Sequence, residues 1–181
     1  MRTTDSSTHD PSGDPVTERL LADAGVGPGM RVLDLGTGAG DVALLAARMV
    51  GPSGRVVSVD RDLRTLMLAA VRCEREEVEH VDLAVGDLAA GDLPEGGFDA
   101  VVARSVLLDL PDPARTLRAA AARLRPGGVV CVQETADRAD ETAPRLRRTF
   151  ADAGLTAPAV RDDGAVPAVG AWTRVAADPA S

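Results

Sequence analysis

The chain has 181 residues, 45% hydrophobic and 27% charged, with a net charge of −8. That make-up suits one globular domain with a buried core, and its acidity disfavours a long phosphate backbone as partner. No apolar run approaches the ~20 residues of a membrane span, and no signal-peptide core opens the chain, so a cytoplasmic protein with no membrane partner is expected.

Residues 1–15 are rich in Ser, Thr, Asp, Gly and Pro, which predicts a loose tail ahead of a single domain over residues 16–181. Residues 16–24 read as a short amphipathic helix with Val16, Leu20 and Leu21 on one face, stopped at Gly25. A strand over 31–35 leads through glycines into a helix over 41–49, apolar nearly all round. A turn at Gly51-Pro52-Ser53-Gly54 precedes a second strand, 55–60. Leu63, Leu66, Met67, Ala70 and Val71 then repeat at helical spacing, and that helix ends in the charged run Glu74-Arg75-Glu76-Glu77. Strand three, 81–85, closes on Gly86-Asp87, and strand four spans 98–104. Asp112-Pro113 supplies an N-cap and first turn for a helix through Leu124. Arg125-Pro126-Gly127-Gly128 should end it before strand five, 129–134. A helix after Thr142 carries Leu146, Phe150 and Ala153, and two weak strands follow near 157–161 and 168–175. Strand and helix alternate throughout, which predicts an α/β fold with a mostly parallel sheet.

The run Val32-Leu33-Asp34-Leu35-Gly36-Thr37-Gly38-Ala39-Gly40-Asp41 is the most informative stretch. A strand, a G-x-G-x-G turn and a helix in that order build a nucleotide-cofactor site at a strand's carboxyl end. The dinucleotide fingerprint G-x-G-x-x-G would need glycine where Asp41 stands. Asp34 would also repel a pyrophosphate at the helix N-terminus. It would attract a cofactor that lacks phosphate and carries an ammonium group, as S-adenosylmethionine does. Taken alone, the glycine run also suits a turn that merely closes a strand–helix corner.

The chain contains no lysine, tyrosine, asparagine or isoleucine, so all 20 basic residues are arginine. Those four residues use A/T-rich codons, which points to a high-G+C bacterial genome. Their absence removes a P-loop lysine, a Schiff-base lysine and a Tyr/Lys reductase pair. A nicotinamide dehydrogenase is disfavoured on these grounds and by Asp41. Cys73 and Cys131 have no metal-ligand spacing and read as core residues, so no metal is expected.

Five stretches fall in fixed order near successive strand ends: residues 32–40, 56–60, Gly86-Asp87, 98–102 running on to Leu110-Pro111-Asp112-Pro113, and 124–129. In this the chain resembles the class I S-adenosylmethionine-dependent methyltransferases over roughly residues 16–135. The nearest branch is the small-molecule one that includes the quinone-biosynthesis C-methyltransferases. The resemblance implies a Rossmann-like doubly wound sheet of order 3-2-1-4-5-7-6 with the last strand antiparallel. It implies S-adenosylmethionine as cofactor, S-adenosylhomocysteine as product and a small molecule as methyl acceptor. Asp34, Gly36, Thr37, Gly38 and Gly40 would hold the methionine part. Asp60 would accept both ribose hydroxyls with Arg61 beside it, and Gly86, Asp87 and the Leu88 backbone N–H would meet the adenine. Arg104 stands where a backbone carbonyl meets the ammonium, so its side chain need not take part. Each aspartate could equally cap a turn or a helix; three of them in register favour the cofactor.

Two departures bear on catalysis. The family's Glu-His before Leu-Pro-Asp-Pro is here Leu108-Asp109, and the only histidines, His9 and His80, are expected at the surface. Glu134 is therefore the first candidate for base or substrate orientation, Asp109 the second, with Ser105 as a hydroxyl donor. Glu134 as a helix or loop anchor is an equally good reading. The helical segment that normally covers the acceptor is reduced to residues 135–141, which predicts an open acceptor side. The N-terminal helix, a large substrate or a second subunit would close it, the last giving a homodimer. The competing function is a protein that keeps the cofactor pocket without methyl transfer, acting as a cyclase, an eliminase or a non-catalytic partner subunit.

Overall fold

Alternating strands and helices close into one seven-stranded sheet of order β3-β2-β1-β4-β5-β7-β6. The computed structural model describes residues 15–135, 139–162 and 168–176; the tail expected over 1–15 lies almost wholly outside them. In chain order the elements are α1 (Pro15–Asp23), β1 (Arg31–Leu35), α2 (Asp41–Val50), β2 (Arg55–Asp60), α3 (Leu63–Arg75), β3 (Val81–Val85) and β4 (Phe98–Arg104). After a 3-10 turn (Leu107–Asp109) come α4 (Pro113–Ala121), β5 (Leu124–Thr135), α5 (Ala139–Asp152), β6 (Ala159–Asp162) and β7 (Ala168–Arg174). β1 pairs in parallel with β2 and β4, and β7 runs antiparallel to both β5 and β6. The order and the single antiparallel strand are those the family resemblance implies.

The central strands are apolar because both faces are covered. On one face Val32, Val56, Ala100 and Val102 pack against Val42, Ala43, Leu45 and Ala46 of α2. On the other, Leu33, Leu35, Val57 and Val101 share a core with Leu117, Leu146 and Phe150 of α4 and α5. Cys73 and Cys131 are buried and unpaired, as their apolar settings suggested. The strand order reverses at β1, flanked by β2 and β4. The chain therefore leaves β1 and β4 in different directions and opens a crevice at their carboxyl ends, the place where α/β sheets bind ligands.

Three boundaries differ from the sequence reading. α4 ends at Ala121, and β5 begins at Leu124 rather than at Val129. The expected Arg125–Gly128 turn is an interruption within the ladder: Phe98 pairs with Leu124, and the next pair is Ala100 with Val129. α5 begins at Ala139, three residues before Thr142, so the connection after β5 is shorter still. In α3 the buried face is Leu66, Ala69 and Cys73, while Leu63, Met67, Leu68 and Val71 are about 60% exposed (60, 62, 59 and 61%). The helix carries apolar residues on two faces, and periodicity alone does not say which one meets the sheet. His80, expected at the surface, is half-buried with its Nε2 on the Ala47 carbonyl at 2.9 Å.

Candidate active site

At the end of β1 the backbone turns through Gly36, Thr37 and Gly38 into α2. Gly36 has φ 75°, and a Cβ there would lie 2.8 Å from Cγ2 of Val106. Gly40, the N-cap of α2, has φ 90°, and a Cβ would meet the Ala69 Cβ at 3.0 Å. Both positions need glycine for conformation and for close approach. The Gly36 and Thr37 N–H groups donate to the Val59 carbonyl, tying this loop to the end of β2.

Asp34 is fully buried under the loop. Its Oδ2 accepts from the Ser58 hydroxyl at 2.8 Å, while its Oδ1 is buried without a hydrogen-bond partner. Burial pushes its carboxyl up to about 7, against the smaller lowering effects of the Ser58 hydrogen bond and Arg104. Thr37 Oγ1, three residues on, is likewise buried and unpartnered. Each such atom costs about 1–3 kcal/mol, so the two leave bonding capacity close together that a ligand donor could fill.

The Asp60 carboxylate at the end of β2 accepts from Gly38 N–H at 3.1 Å and from Asp62 N–H at 2.9 Å. These bonds fix its plane and use two of about four lone-pair positions, so it can still take a pair of hydroxyls. Gly86 donates to the Asp60 carbonyl, which sets the end of β3 beside it. Asp87 is exposed and closes a local turn on Ala89 N–H at 2.9 Å, and Leu88 is buried. A cleft of about 510 Å³ runs past these groups, lined by Gly36, Asp60, Arg61, Gly86, Asp87, Leu88 and Ala89, then by Ser105, Val106, Asp109, Leu110 and Pro111. One cavity therefore joins the expected ribose and adenine residues to the segment after β4.

Ser105 has φ 51°, a left-handed conformation uncommon for serine. Its N–H donates to the Gln133 carbonyl, and its Oγ lies 2.8 Å from Thr135 Oγ1. Asp109 is exposed on the cleft. Glu134 is 5% exposed and is not among the cleft's lining residues. Its Oε1 accepts from Leu107 N–H at 2.9 Å and Leu108 N–H at 3.2 Å, holding the first turn of the 3-10 segment. Burial raises its carboxyl above the usual carboxylate range, with those backbone hydrogen bonds acting the other way. The anchor reading is thus the one its contacts match. Sequence reasoning missed three contributors: Ser58, which holds Asp34, Thr135, which holds Ser105, and Val106, which faces Gly36. The register Asp34↔Ser58 would have found the first, but pairing register is not visible in one strand's sequence.

A family model described as a methyltransferase domain matches residues 27–163, most of the chain. The chain belongs to the class I S-adenosylmethionine-dependent methyltransferases. The chain is 30% identical to the demethylmenaquinone methyltransferase of Staphylococcus aureus over 134 residues, covering 74% of this chain and 54% of that protein. It is 31% identical to the arsenite methyltransferase of Halobacterium salinarum over 121 residues, covering 67% of this chain and 30% of the relative. The chain thus spans about a third to a half of the length of these curated relatives. Its fold matches the crystal structure of a SAM-dependent methyltransferase from Aquifex aeolicus at a TM-score of 0.76 and 22% identity, over 92% of this chain and 94% of that one. No described helix is long and apolar enough to cross a membrane.

Proposed function

We propose that this chain transfers the methyl group of S-adenosylmethionine to oxygen, nitrogen or carbon of a small-molecule acceptor by in-line displacement. The observation that carries the reading is the buried Asp34 carboxyl, its Oδ1 unpartnered, beneath the glycine loop at the sheet's switch point. When bound, S-adenosylmethionine supplies an electrophilic methyl on a sulfonium and leaves as S-adenosylhomocysteine.

The chain's residues then have defined tasks. Asp34 and Thr37 accept from the ammonium, the carboxylate ionising as the cation arrives. Asp60, oriented by Gly38 and Asp62, accepts the ribose hydroxyls. Gly86, Asp87 and Leu88 form the adenine side, and Arg61 flanks it. On the acceptor side, Val106, Leu110 and Pro111 exclude water, while Ser105 and Asp109 are the polar groups facing the cleft. Asp109 takes precedence over Glu134 as a proton acceptor, because Glu134 spends Oε1 on the backbone of the 3-10 segment. Glu134 acts as a positioning residue that sets Leu107 and Leu108. Alignment of acceptor and methyl, together with a dry site, carries most of the rate.

The same proposal includes a cytoplasmic location in a bacterium, in keeping with two unpaired cysteines. It also includes a single domain and a second copy that completes the acceptor side. Arsenite is a poor candidate acceptor, because thiophilic arsenic needs accessible thiols and both cysteines are buried. Incubation with isotopically labelled cofactor and a panel of acceptors tests the reading. Labelled product with stoichiometric S-adenosylhomocysteine supports it; conversion of substrate without S-adenosylhomocysteine contradicts it.

A further inference from the structure

Val32 pairs with Ala100 and Asp34 with Val102. Partners in a parallel register point to the same face, and that face recurs every second residue, so Arg104 shares a face with Asp34. One strand over and two residues further on, its Cα lies roughly 8 Å from that of Asp34. The guanidinium is held there: Arg104 Nη2 donates to Asp41 Oδ2 at 2.9 Å, and Arg72 Nη1 donates to Asp41 Oδ1 at 2.5 Å. Asp41 is the first residue of α2, so Arg104's charge stands at the helix N-terminus beside the glycine loop, with its side chain 25% exposed. Its field reaches Asp34, where it favours the ionised carboxyl.

Resting on the reading of this site as an S-adenosylmethionine pocket, we propose that the Arg104 side chain recognises the carboxylate of the cofactor's amino-acid end. β1 then supplies the acid and β4 the cation of a clamp for a zwitterion, with the glycine loop between them. An α-amino acid carries its two charges on one carbon, so an ammonium on Asp34 leaves its carboxylate within reach of a group one strand away. A guanidinium suits that task because its planar fork matches a carboxylate, and the positive end of α2 acts in the same direction. Asp41 sets the guanidinium's position. The resemblance requires only the backbone carbonyl at this position, and the clamp adds a specificity role for the Arg104 side chain.

Calorimetric titration of the full chain with S-adenosylmethionine and with decarboxylated S-adenosylmethionine, which lacks only the carboxylate, tests the clamp. Wild type should bind the complete cofactor at least about tenfold more tightly. Arg104→Gln should erase that preference by weakening the complete cofactor at least about tenfold, leaving the decarboxylated one within about threefold. Arg104→Lys should keep part of it. Equal affinities in wild type, or equal weakening of both ligands in Arg104→Gln, would overturn the clamp while leaving the pocket assignment standing. Wild type that binds neither ligand would sink the pocket assignment, and the clamp with it.

Discussion

Replacing Asp34 with asparagine should make the protein more stable and the site worse. The acid is fully buried, and its carboxyl is raised from 3.8 to about 7. The folded state therefore holds a proton between about pH 4 and 7 that the unfolded state has lost. Stability contributed by the neutral acid is complete below pH 4, declines as pH rises, and is gone above about 7. Three pH units at 1.36 kcal/mol each set the penalty at about 4 kcal/mol. Asparagine carries no charge and still bonds Ser58, so Asp34→Asn removes the penalty. At about 2–4 °C per kcal/mol for a domain of this size, a Tm gain of about 5–10 °C at pH 8 is expected, allowing for the amide that stays buried. The gain should vanish at pH 4. Thermal melts of both proteins from pH 4 to 8, beside titrations with S-adenosylhomocysteine at pH 8, measure it. The variant should also bind at least about tenfold more weakly, having lost the partner of the ammonium. An asparagine variant less stable at pH 8, or one whose difference from wild type does not change with pH, would refute the reasoning.

Three further outcomes follow from the same geometry. Below about pH 7 Asp34 must lose a proton before it can pair with a cation, so S-adenosylhomocysteine binding should release a proton at pH 6 and weaken by up to about tenfold per pH unit; calorimetry in buffers of different ionisation enthalpy counts that proton. Gly36→Ala places a methyl 2.8 Å from Val106 at φ 75° and should cost about 1–3 kcal/mol in melting experiments while abolishing cofactor binding. Glu134→Gln keeps an oxygen for the Leu107 and Leu108 N–H groups and should retain most activity, whereas Glu134→Ala strands both and should lose about 1–3 kcal/mol of stability along with activity; a Gln variant that folds and is inactive would make Glu134 the base instead.

The ends of the central strands were legible because burial on both faces leaves near-continuous apolar runs, each closed by a glycine or an acid, whereas the sheet order came only with the family resemblance. Asp34, Asp60 and Asp87 were legible for the same reason, standing at the ends of those runs. What the chain did not reveal depends on contacts between distant segments. Glu134 looked like a base because it ends a strand, but whether its carboxyl meets solvent or the backbone of residues 107–108 is decided by how the chain turns after β4. The side chain of Arg104 looked dispensable because the resemblance calls only on the backbone carbonyl there, and its partner, Asp41, lies 63 residues away across the loop. In α3, two apolar faces competed, and only docking on the sheet selects Leu66, Ala69 and Cys73 for the interior.

The most direct test of the central claim is a calorimetric titration of the purified chain against S-adenosylhomocysteine and, separately, NAD. One S-adenosylhomocysteine should bind per chain, with no heat attributable to NAD, and Asp60→Ala should abolish the binding. Binding of NAD, or no binding of S-adenosylhomocysteine by a folded wild-type protein, would contradict the account.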